Sequence, residues 1–329
     1  MYESFYHLKR TPFGISPEPD FFFPTPSHNE ALAAIYHAVR GHKGFAVLTG
    51  EVGTGKTLLI WCLLDLLRQN DDVAYAYVFN GLLSPSEFLQ YIASDFGLPA
   101  SGKNKGELLA DLSKYVVERG TKQLTTVLVV DEAHHLSVDI LEEIRLLTNL
   151  ETSHDKLLQV LLVGQPELDE KLDSSVLRQL KQRVAHRARL IPLTREETRG
   201  YIERRLQIAG AEPGEGSVFP VDTIARIYYH SRGIPRLINT ICENALITAY
   251  ARQTASVTPE MVDGAAADLR LDADTSPAAT DLDALSDADT VRAATTLLEL
   301  FALLKSRSAS GGQIGGSTRT GISEHEPNI

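Results

Sequence analysis

One run of eight residues has the types and spacing of a loop that binds nucleotide phosphates. It fits G-x-x-x-x-G-K-T and consists of Gly50, Glu51, Val52, Gly53, Thr54, Gly55, Lys56 and Thr57. Glycines permit backbone conformations in which successive N–H groups point at phosphate oxygens, and the helix that follows adds its positive N-terminal dipole. Lys56 would reach the β- and γ-phosphates of ATP, and the Thr57 hydroxyl would bind Mg²⁺. The alternative is a tight turn that binds no ligand.

A second group that could do chemistry is the acidic pair Asp131 and Glu132, which follows the apolar run Val127–Val130. A buried strand that ends in two carboxylates delivers them to the edge of a parallel sheet where α/β proteins bind ligands. Asp131 would hold Mg²⁺, and Glu132 would polarise the attacking water. The structural alternative is that Asp131 caps the N-terminus of a helix.

The acidic pair also begins the tetrapeptide DEAH at residues 131–134, which marks two-lobed helicases as well. A helicase needs a second ATPase-like lobe, and the only segment that follows the last predicted strand and precedes the tail has helical patterns. His134 and His135 could bind a metal ion, but adjacent histidines with no further ligand at matching spacing indicate a weak site. A positioning or surface role is favoured for both.

These groups require a sheet that brings several strand ends together. Short apolar runs predict five buried strands: Gly44–Leu48, Val73–Phe79, Val127–Val130, Gln159–Val163 and Ala188–Ile191. The pattern predicts an α/β fold with a parallel five-stranded sheet sandwiched by helices, because helical patterns precede the runs or lie between them at Asn29–Arg40, Thr57–Arg68, Ser86–Phe96, Lys105–Glu118 and Val138–Leu147. Further helical patterns follow at Arg195–Ala209, Asp222–Tyr229, Pro235–Ala251 and Pro259–Leu269. They predict a small, all-helical second domain.

We therefore divide the chain into a strap (residues 1–27), a nucleotide-binding core (28–192), a helical lid (193–270) and a tail (271–329). The strap holds five prolines, which disfavour a regular helix or a central strand, so an extended path over the core is expected. The polar composition of the tail predicts disorder, except at residues 291–306, which could form one amphipathic helix.

Composition limits the remaining classes of function. The 329 residues carry a formal net charge of −11, which disfavours a broad nucleic-acid footprint. The two cysteines lie far apart in sequence, which argues against a disulfide framework and suits the cytoplasm. The apolar run Thr295–Leu304 is short and broken by Glu299, so no transmembrane segment is expected.

Several segments together form a more specific pattern than the phosphate loop alone: MYESFY at 1–6, SPEP at 16–19, TGEVG at 49–53, DEAH at 131–134 and GQPEL at 164–168. With them the chain resembles the AAA+ ATPases and, among these, the ExeA/GspA-type secretion ATPases, including those of exopolysaccharide and exosortase loci. The resemblance covers residues 1–270 and implies an ATPase that works as a ring or other oligomer. Members of this family often continue into a membrane span and a cell-wall-binding module, and the polar tail departs from that pattern.

The resemblance also implies roles for Gln165, within the GQPEL motif, and for three arginines outside these motifs. Gln165 would contact the γ-phosphate or its water as "sensor 1", and Arg236 would reach the phosphates as "sensor 2". Arg183, with Arg187 close behind, would be the arginine finger that completes a neighbouring subunit's site. The alternatives are a glutamine that caps a turn, a surface arginine and a basic, solvated helix face.

These observations lead to one leading hypothesis and two alternatives. The leading hypothesis is an oligomeric motor or switch ATPase, with ATP and Mg²⁺ as cofactors, that supports a secretion or exopolysaccharide export system. It would be cytoplasmic, or peripheral at the inner membrane through a protein partner. The first alternative is a DNA-associated AAA+ regulator similar to transposition-helper ATPases; the second is an interaction protein that docks through residues 291–306. The strap's aromatic rings, with Ile15 and His28, would line the adenine pocket or pack on the core.

Overall fold

A computed structural model describes residues 1–69, 72–79, 83–151, 155–211 and 217–271. All of these residues belong to one structural unit. Almost all of the tail, including the helix predicted at residues 291–306, lies outside the described residues.

Five parallel strands form the predicted sheet. They are β1 (Phe45–Gly50), β2 (Val73–Val78), β3 (Thr125–Val130), β4 (Leu158–Gly164) and β5 (His186–Leu190), in the spatial order β2-β3-β4-β1-β5. Every residue of β1, β3 and β4 is buried, as expected for strands covered on both faces. Because the strands are parallel, the carboxyl ends of β1, β3 and β4 lie at one edge of the sheet.

The α-helices agree with the sequence patterns except where they are short. In chain order they are α1 (Tyr2–Phe5), α2 (Pro26–Arg40), α3 (Lys56–Arg68), α4 (Pro85–Asp95), α5 (Lys105–Thr121), α6 (Val138–Leu147), α7 (Glu167–Asp173), α8 (Arg178–Lys181), α9 (Arg195–Ala209), α10 (Val221–Ser231), α11 (Pro235–Ala251) and α12 (Pro259–Asp268). The sequence predicted α2–α6 and α9–α12 and missed α1, α7 and α8, which are too short to show a helical period. Among the described residues, no helix combines the length and hydropathy that a membrane span requires.

Alternate strand residues pack into two separate hydrophobic clusters, one on each face of the sheet. Phe45 and Val47 of β1 face the side covered by α4, α5 and α6. Ala46 and Leu48 face the opposite side, which is covered by α2 and α3. The sheet is therefore sandwiched by helices, as predicted, and α3 lies on the face that carries the phosphate loop.

The lid has a hydrophobic cluster of its own. Helix α9 begins with a capping box, in which Thr194 and Glu197 satisfy each other's backbone N–H groups. Ile202 of α9, Ile227 of α10 and Ile241 of α11 are fully buried in this cluster. Burial of one apolar face on each helix holds the lid together.

The strap takes a different path from the one expected. Tyr2, Tyr6 and Phe13 are buried in the lid cluster rather than on the core, and Phe13 meets Phe219 edge to face at a centroid distance of 5.7 Å. The strap also contains α1, because its first proline is Pro12 and the residues before it are free to form a helical turn. The prediction of a wholly extended strap over the core was therefore wrong.

Candidate active site

The phosphate loop connects the end of β1 to the start of α3. Gly53 and Gly55 have φ angles of +82° and +99°, which residues with a Cβ rarely adopt, so the loop requires glycine at both positions. The hydroxyl of Thr54 donates to the carbonyl oxygen of Glu51 at 2.8 Å and closes the turn. A glycine-rich loop that leads directly into a helix N-terminus is a ready-made anion site.

Lys56, the first residue of α3, is buried at this loop. Its Nζ donates to the carbonyl oxygens of Gly50 at 2.7 Å and Glu51 at 3.0 Å. Burial lowers the pKa of its ammonium group, and the nearby carboxylates of Glu132 and Asp131 partly offset that effect. The positive charge is thus held between the loop and the acidic pair.

Asp131 joins the acidic pair to the phosphate loop. Its side chain is buried, and its Oδ2 accepts hydrogen bonds from Oγ1 of Thr57 at 3.0 Å and from the hydroxyl of Tyr77 at 2.9 Å. Its Oδ1 accepts from the backbone N–H of Glu132 at 2.9 Å. A helix cap does not account for this arrangement, because two of the three donors come from other elements. The two predicted magnesium ligands, Thr57 and Asp131, are therefore in direct contact.

Glu132 has an unusual backbone and an unpaired carboxylate oxygen. Its φ of +51° is rare for a residue with a side chain, and such conformations cluster at functional sites. Its Oε2 lies 3.4 Å from Nδ1 of His134, but without the geometry of a hydrogen bond. Among the described residues this oxygen has no hydrogen-bond donor. The side chain as a whole is 45% exposed, and an ionised carboxylate that water can reach can accept a proton from it.

His134 lies between Glu132 and Gln165, which follows β4. The side-chain amide nitrogen of Gln165 is 2.9 Å from Nε2 of His134. Burial lowers the pKa of the His134 ring, and the neighbouring His135 lowers it further. Potential ligand atoms of Glu132, His134 and His135 lie within 4.8 Å of one another, so the structure adds a third ligand to the two histidines considered above.

The lid reaches the phosphate loop at Arg236, the second residue of α11. The backbone N–H of Arg236 donates to the carbonyl oxygen of Gly53 at 3.2 Å, while its side chain is exposed. A Cβ at Gly53 would lie 2.7 Å from Cβ of Arg236, so the loop and the lid can approach this closely only with glycine there. Within the lid, the carbonyl oxygen of Gly233 accepts from the N–H of Leu193, the first residue of the lid, at 2.8 Å.

Arg183 lies away from these residues, at the C-terminus of α6. Its guanidinium donates to the carbonyl oxygen of Arg145 at 3.4 Å, to Oγ1 of Thr148 at 2.9 Å and to Oδ1 of Asn149. These contacts satisfy helix-terminal acceptors within the same chain.

Arg187 lies on the exposed edge strand β5. Its guanidinium bonds Oδ1 of Asp169 at 2.9 Å and Oδ1 of Asp173 at 3.2 Å. The other oxygen of Asp169 accepts from Oγ1 of Thr49 at 2.7 Å, which connects Arg187 to the end of β1. Neither arginine is brought to its own chain's phosphate loop.

Two residues at the site were not identified from the sequence in the roles that the structure gives them. The ring of His28 on α2 is buried, with Nε2 3.2 Å from the carbonyl oxygen of Thr54 and Nδ1 2.6 Å from Oγ1 of Thr25. A carbonyl only accepts, so Nε2 carries the proton, and burial lowers the pKa of the ring. Tyr77 of β2 is the second residue. A tyrosine near the end of a strand next to β3 was a signal, but the strand order that makes it useful cannot be read from the sequence.

Comparison with known proteins identifies the kind of domain in which this site lies. A family model described as an AAA domain matches residues 39–172. The chain is 42% identical over 254 residues to General secretion pathway protein A of Aeromonas hydrophila, a match that covers 77% of this chain and 45% of that protein. It is 30% identical over 131 residues to the ATP-dependent target DNA activator B of Escherichia phage Mu, which covers 40% of this chain and 39% of that protein. The chain thus spans less than half the length of these relatives.

Among solved structures, the fold is similar to that of Cdc6p from Pyrobaculum aerophilum, with a TM-score of 0.58. The sequences are 21% identical, and the match covers 76% of this chain and 69% of that one, so the likeness concerns the fold. The same parallel sheet with a phosphate loop after β1 and an acidic pair after β3 is the arrangement that P-loop ATPases require. The chain thus contains an AAA domain that carries the phosphate loop and the acidic pair, and it is similar over 254 residues to General secretion pathway protein A.

Proposed function

We propose that this chain hydrolyses ATP to ADP and phosphate with Mg²⁺. The observation that carries the proposal is the 3.0 Å hydrogen bond from Thr57 to Asp131, which joins the phosphate loop to the acidic pair. The residues present suit both cofactors. A hydroxyl and a carboxylate oxygen are ligands that Mg²⁺ prefers, and a glycine-rich loop with a buried lysine suits phosphates.

Each residue then has a defined part in the reaction. The N–H groups of residues 50–57 bind the phosphates, and Lys56 exchanges its contacts with loop carbonyls for contacts with the β- and γ-phosphates. Thr57 and Asp131 hold Mg²⁺, which neutralises charge on the phosphates. Glu132, whose side chain is 45% exposed, orients the attacking water through its carboxylate and accepts its proton. A single carboxylate in this role accelerates a reaction by about 10²–10⁴-fold.

The finer roles follow the family resemblance. Gln165 senses the γ-phosphate, and its contact with His134 connects it to Glu132. Arg236 turns its exposed side chain to the phosphates when the lid (193–270) closes on the core (28–192). Arg183 or Arg187 completes the site of a neighbouring subunit, so the active form is an oligomer. Arg183 would have to leave its helix-terminal contacts to do so, whereas Arg187 already lies at a sheet edge.

The cellular role that we propose is support of a secretion or exopolysaccharide export system. It rests on the 42% identity to General secretion pathway protein A, of which the matched part is 45%. The protein would work in the cytoplasm, or at the inner membrane through a protein partner. Nucleotide-dependent movement of the lid would transmit the state of the site to that partner.

The test is ATP turnover by purified protein across a series of protein concentrations, with and without Mg²⁺. Turnover per subunit should rise with concentration. It should fall in Arg183→Ala or Arg187→Ala and return when that variant is mixed with Glu132→Gln, because one mixed interface then holds an intact glutamate and an intact arginine. Arg178→Ala is the control, because Arg178 belongs to the same stretch rich in arginine and lysine, residues 178–189.

The outcomes separate the parts of the proposal. If turnover per subunit does not depend on protein concentration and is unchanged in both arginine variants, the site is not shared between subunits and the protein is a monomeric ATPase. Absence of both ATP binding and turnover in the wild-type protein would overturn the proposed reaction.

A DNA-associated regulator is the second candidate, favoured by the 30% identity to the target DNA activator B. The net charge of −11 opposes it. Duplex DNA added to the turnover assay at low salt distinguishes the two. Stimulation by DNA that falls steeply with added salt would favour the regulator, and unchanged turnover would favour the export role.

A further inference from the structure

Three side chains, two of them the proposed magnesium ligands, form a hydrogen-bonded group, and a fourth lies beside it. Thr57 donates to Oδ2 of Asp131 at 3.0 Å, and the hydroxyl of Tyr77 donates to the same oxygen at 2.9 Å. Thr57 and Trp61 lie one turn apart on the same face of α3, and the Trp61 side chain lies beside the hydroxyl of Tyr77. Helix α3 thus contacts Asp131 through Thr57 and neighbours Tyr77 through Trp61.

The register of the sheet explains why Tyr77 reaches Asp131. Strands β2 and β3 pair in parallel with Tyr77 opposite Val129. Because side chains alternate between the faces of a sheet, Val129 and Asp131 point to the same face, which is the face covered by α3. Tyr77 is therefore the diagonal neighbour of Asp131, within reach of a long side chain.

The chemistry of the two groups makes the Tyr77 hydroxyl the donor. A phenol is protonated at neutral pH and a carboxylate oxygen only accepts, so the hydrogen bond runs from Tyr77 to Asp131. Asp131 is only 4% exposed, and water contributes little to the orientation of its carboxylate. The hydroxyls of Thr57 and Tyr77 and the N–H of Glu132 hold that carboxylate from three directions.

We propose that Tyr77 is a positioning residue, whose hydroxyl holds the Asp131 carboxylate in the orientation that binds Mg²⁺. Partners of this kind typically change metal affinity by about 10–100-fold when they are removed. Trp61, the only tryptophan in the chain, lies beside Tyr77 and is 46% exposed, so its fluorescence reports the state of this group. The inference rests on the proposed Mg²⁺-dependent ATPase function.

The test compares Tyr77→Phe with Tyr75→Phe. Tyr75 lies on the same face of β2, but its hydroxyl accepts from Nε of Arg68 at 2.8 Å and does not contact the site. ADP affinity is measured by calorimetry in EDTA and at increasing Mg²⁺ concentration. In Tyr77→Phe the Mg²⁺ concentration that gives half of the full effect on ADP affinity should rise about 10–100-fold. ADP affinity in EDTA should stay unchanged, and Tyr75→Phe should match the wild type.

Trp61 emission gives a second readout, because Mg²⁺ added to the ADP complex should change it in Tyr77→Phe only at a Mg²⁺ concentration about 10–100-fold higher than in the wild type. Equal loss of ADP affinity with and without Mg²⁺ would mean that Tyr77 only supports the fold, and would overturn the inference. So would an unchanged Mg²⁺ dependence in Tyr77→Phe. If the wild type does not bind ADP under any condition, the proposed function itself fails.

Discussion

The active-site edge of the sheet and the lid are built from contacts of very different range along the chain. At the site, Lys56 bonds the carbonyls of Gly50 and Glu51 only a few residues away, and Thr57 bonds Asp131 across 74 residues of sequence. In the lid, the hydroxyl of Tyr2 donates to Glu243 at 2.6 Å across 241 residues of sequence. Nε of Arg205 donates to the carbonyl oxygen of Pro12 at 2.6 Å across 193 residues.

Because of this difference, the residues that determine ATP turnover and the residues that stabilise the lid lie in different parts of the chain. The site uses short motifs at strand ends, whose geometry follows from a strand, a turn and a helix in succession. The lid is completed by a strap from the other end of the chain, which supplies buried rings to its cluster. Substitutions at the site should therefore change turnover with little effect on folding, whereas substitutions in the strap should destabilise the lid.

The largest expected effect is on turnover. Glu132→Gln should lower kcat by about 10²–10⁴-fold, because the amide cannot accept the proton of the attacking water. ATP affinity and the urea midpoint should stay close to those of the wild type. Glu142→Gln, on the surface of α6, is the matched control. Loss of ATP binding in Glu132→Gln would show that Glu132 is needed to bind ATP rather than to activate the attacking water.

The strap should show the opposite pattern. Phe13→Ala should lower the free energy of unfolding by about 3–5 kcal/mol, because its fully buried ring leaves a cavity against Phe219. Ile15→Ala, in the same strap but 65% exposed, should change it by less than about 0.5 kcal/mol. Urea denaturation measures both. Equal stability of the two variants would contradict the packing of the strap on the lid.

The packing of the lid's first residue, Leu193, is tested with two glycines of similar backbone conformation. Gly233 and Gly97 have φ angles of +75° and +76°, but a Cβ at Gly233 would lie 1.9 Å from the carbonyl oxygen of Leu193, whereas a Cβ at Gly97 would meet nothing within 4 Å. Both alanine variants bear the strain of a positive φ. Gly233→Ala should lose about 1–3 kcal/mol more in thermal or urea unfolding, which is the effect of overpacking alone.

The smallest expected effect is a dependence of stability on pH. Burial lowers the pKa of folded His28 below its ordinary value of 6.5, so the unfolded chain binds the additional proton first as the pH falls. The stability that its neutral ring supplies is complete above about pH 6.5 and is lost as the pH falls towards the folded pKa, with a slope of at most about 1.4 kcal/mol per pH unit.

The measurement is the free energy of unfolding between pH 7.5 and 5. In His28→Gln the free energy of unfolding should fall less steeply with decreasing pH than in the wild type. In His37→Gln, a change at an exposed residue of the same helix, it should fall as in the wild type. If the free energy of unfolding of His28→Gln changes with pH in parallel with that of the wild type, His28 does not cause the pH dependence.

Most of the core could be predicted from the sequence because its signals are local. The apolar run Val127–Val130 predicted strand β3, and the end of that run predicted the position of the Asp131 carboxylate. The order of the strands was not predictable, because it depends on which buried faces pack together and not on any one segment. Tyr77 was missed for that reason, since only the pairing of β2 with β3 brings it to Asp131.

The strap shows a second limit. Its prolines and aromatic rings predicted a segment that packs on the rest of the protein, but they carried no information about which surface receives it. Phe13 packs on Phe219 of the lid, and the two residues are linked only by the tertiary fold. The roles of Arg183 and Arg187 remain predictions, because an arginine finger acts on a second copy of the chain.

The docking of the strap on the lid also bears on how the chain folds during synthesis. The strap leaves the ribosome before the lid does, and the ring of Phe13 must wait for Phe219, 206 residues later. At translation rates of about 5–20 residues per second this delay is roughly 10–40 s. During this interval the sheet can form while the aromatic side chains of the strap are still exposed, so the nascent chain should be a better substrate for chaperones before the lid is made than after it.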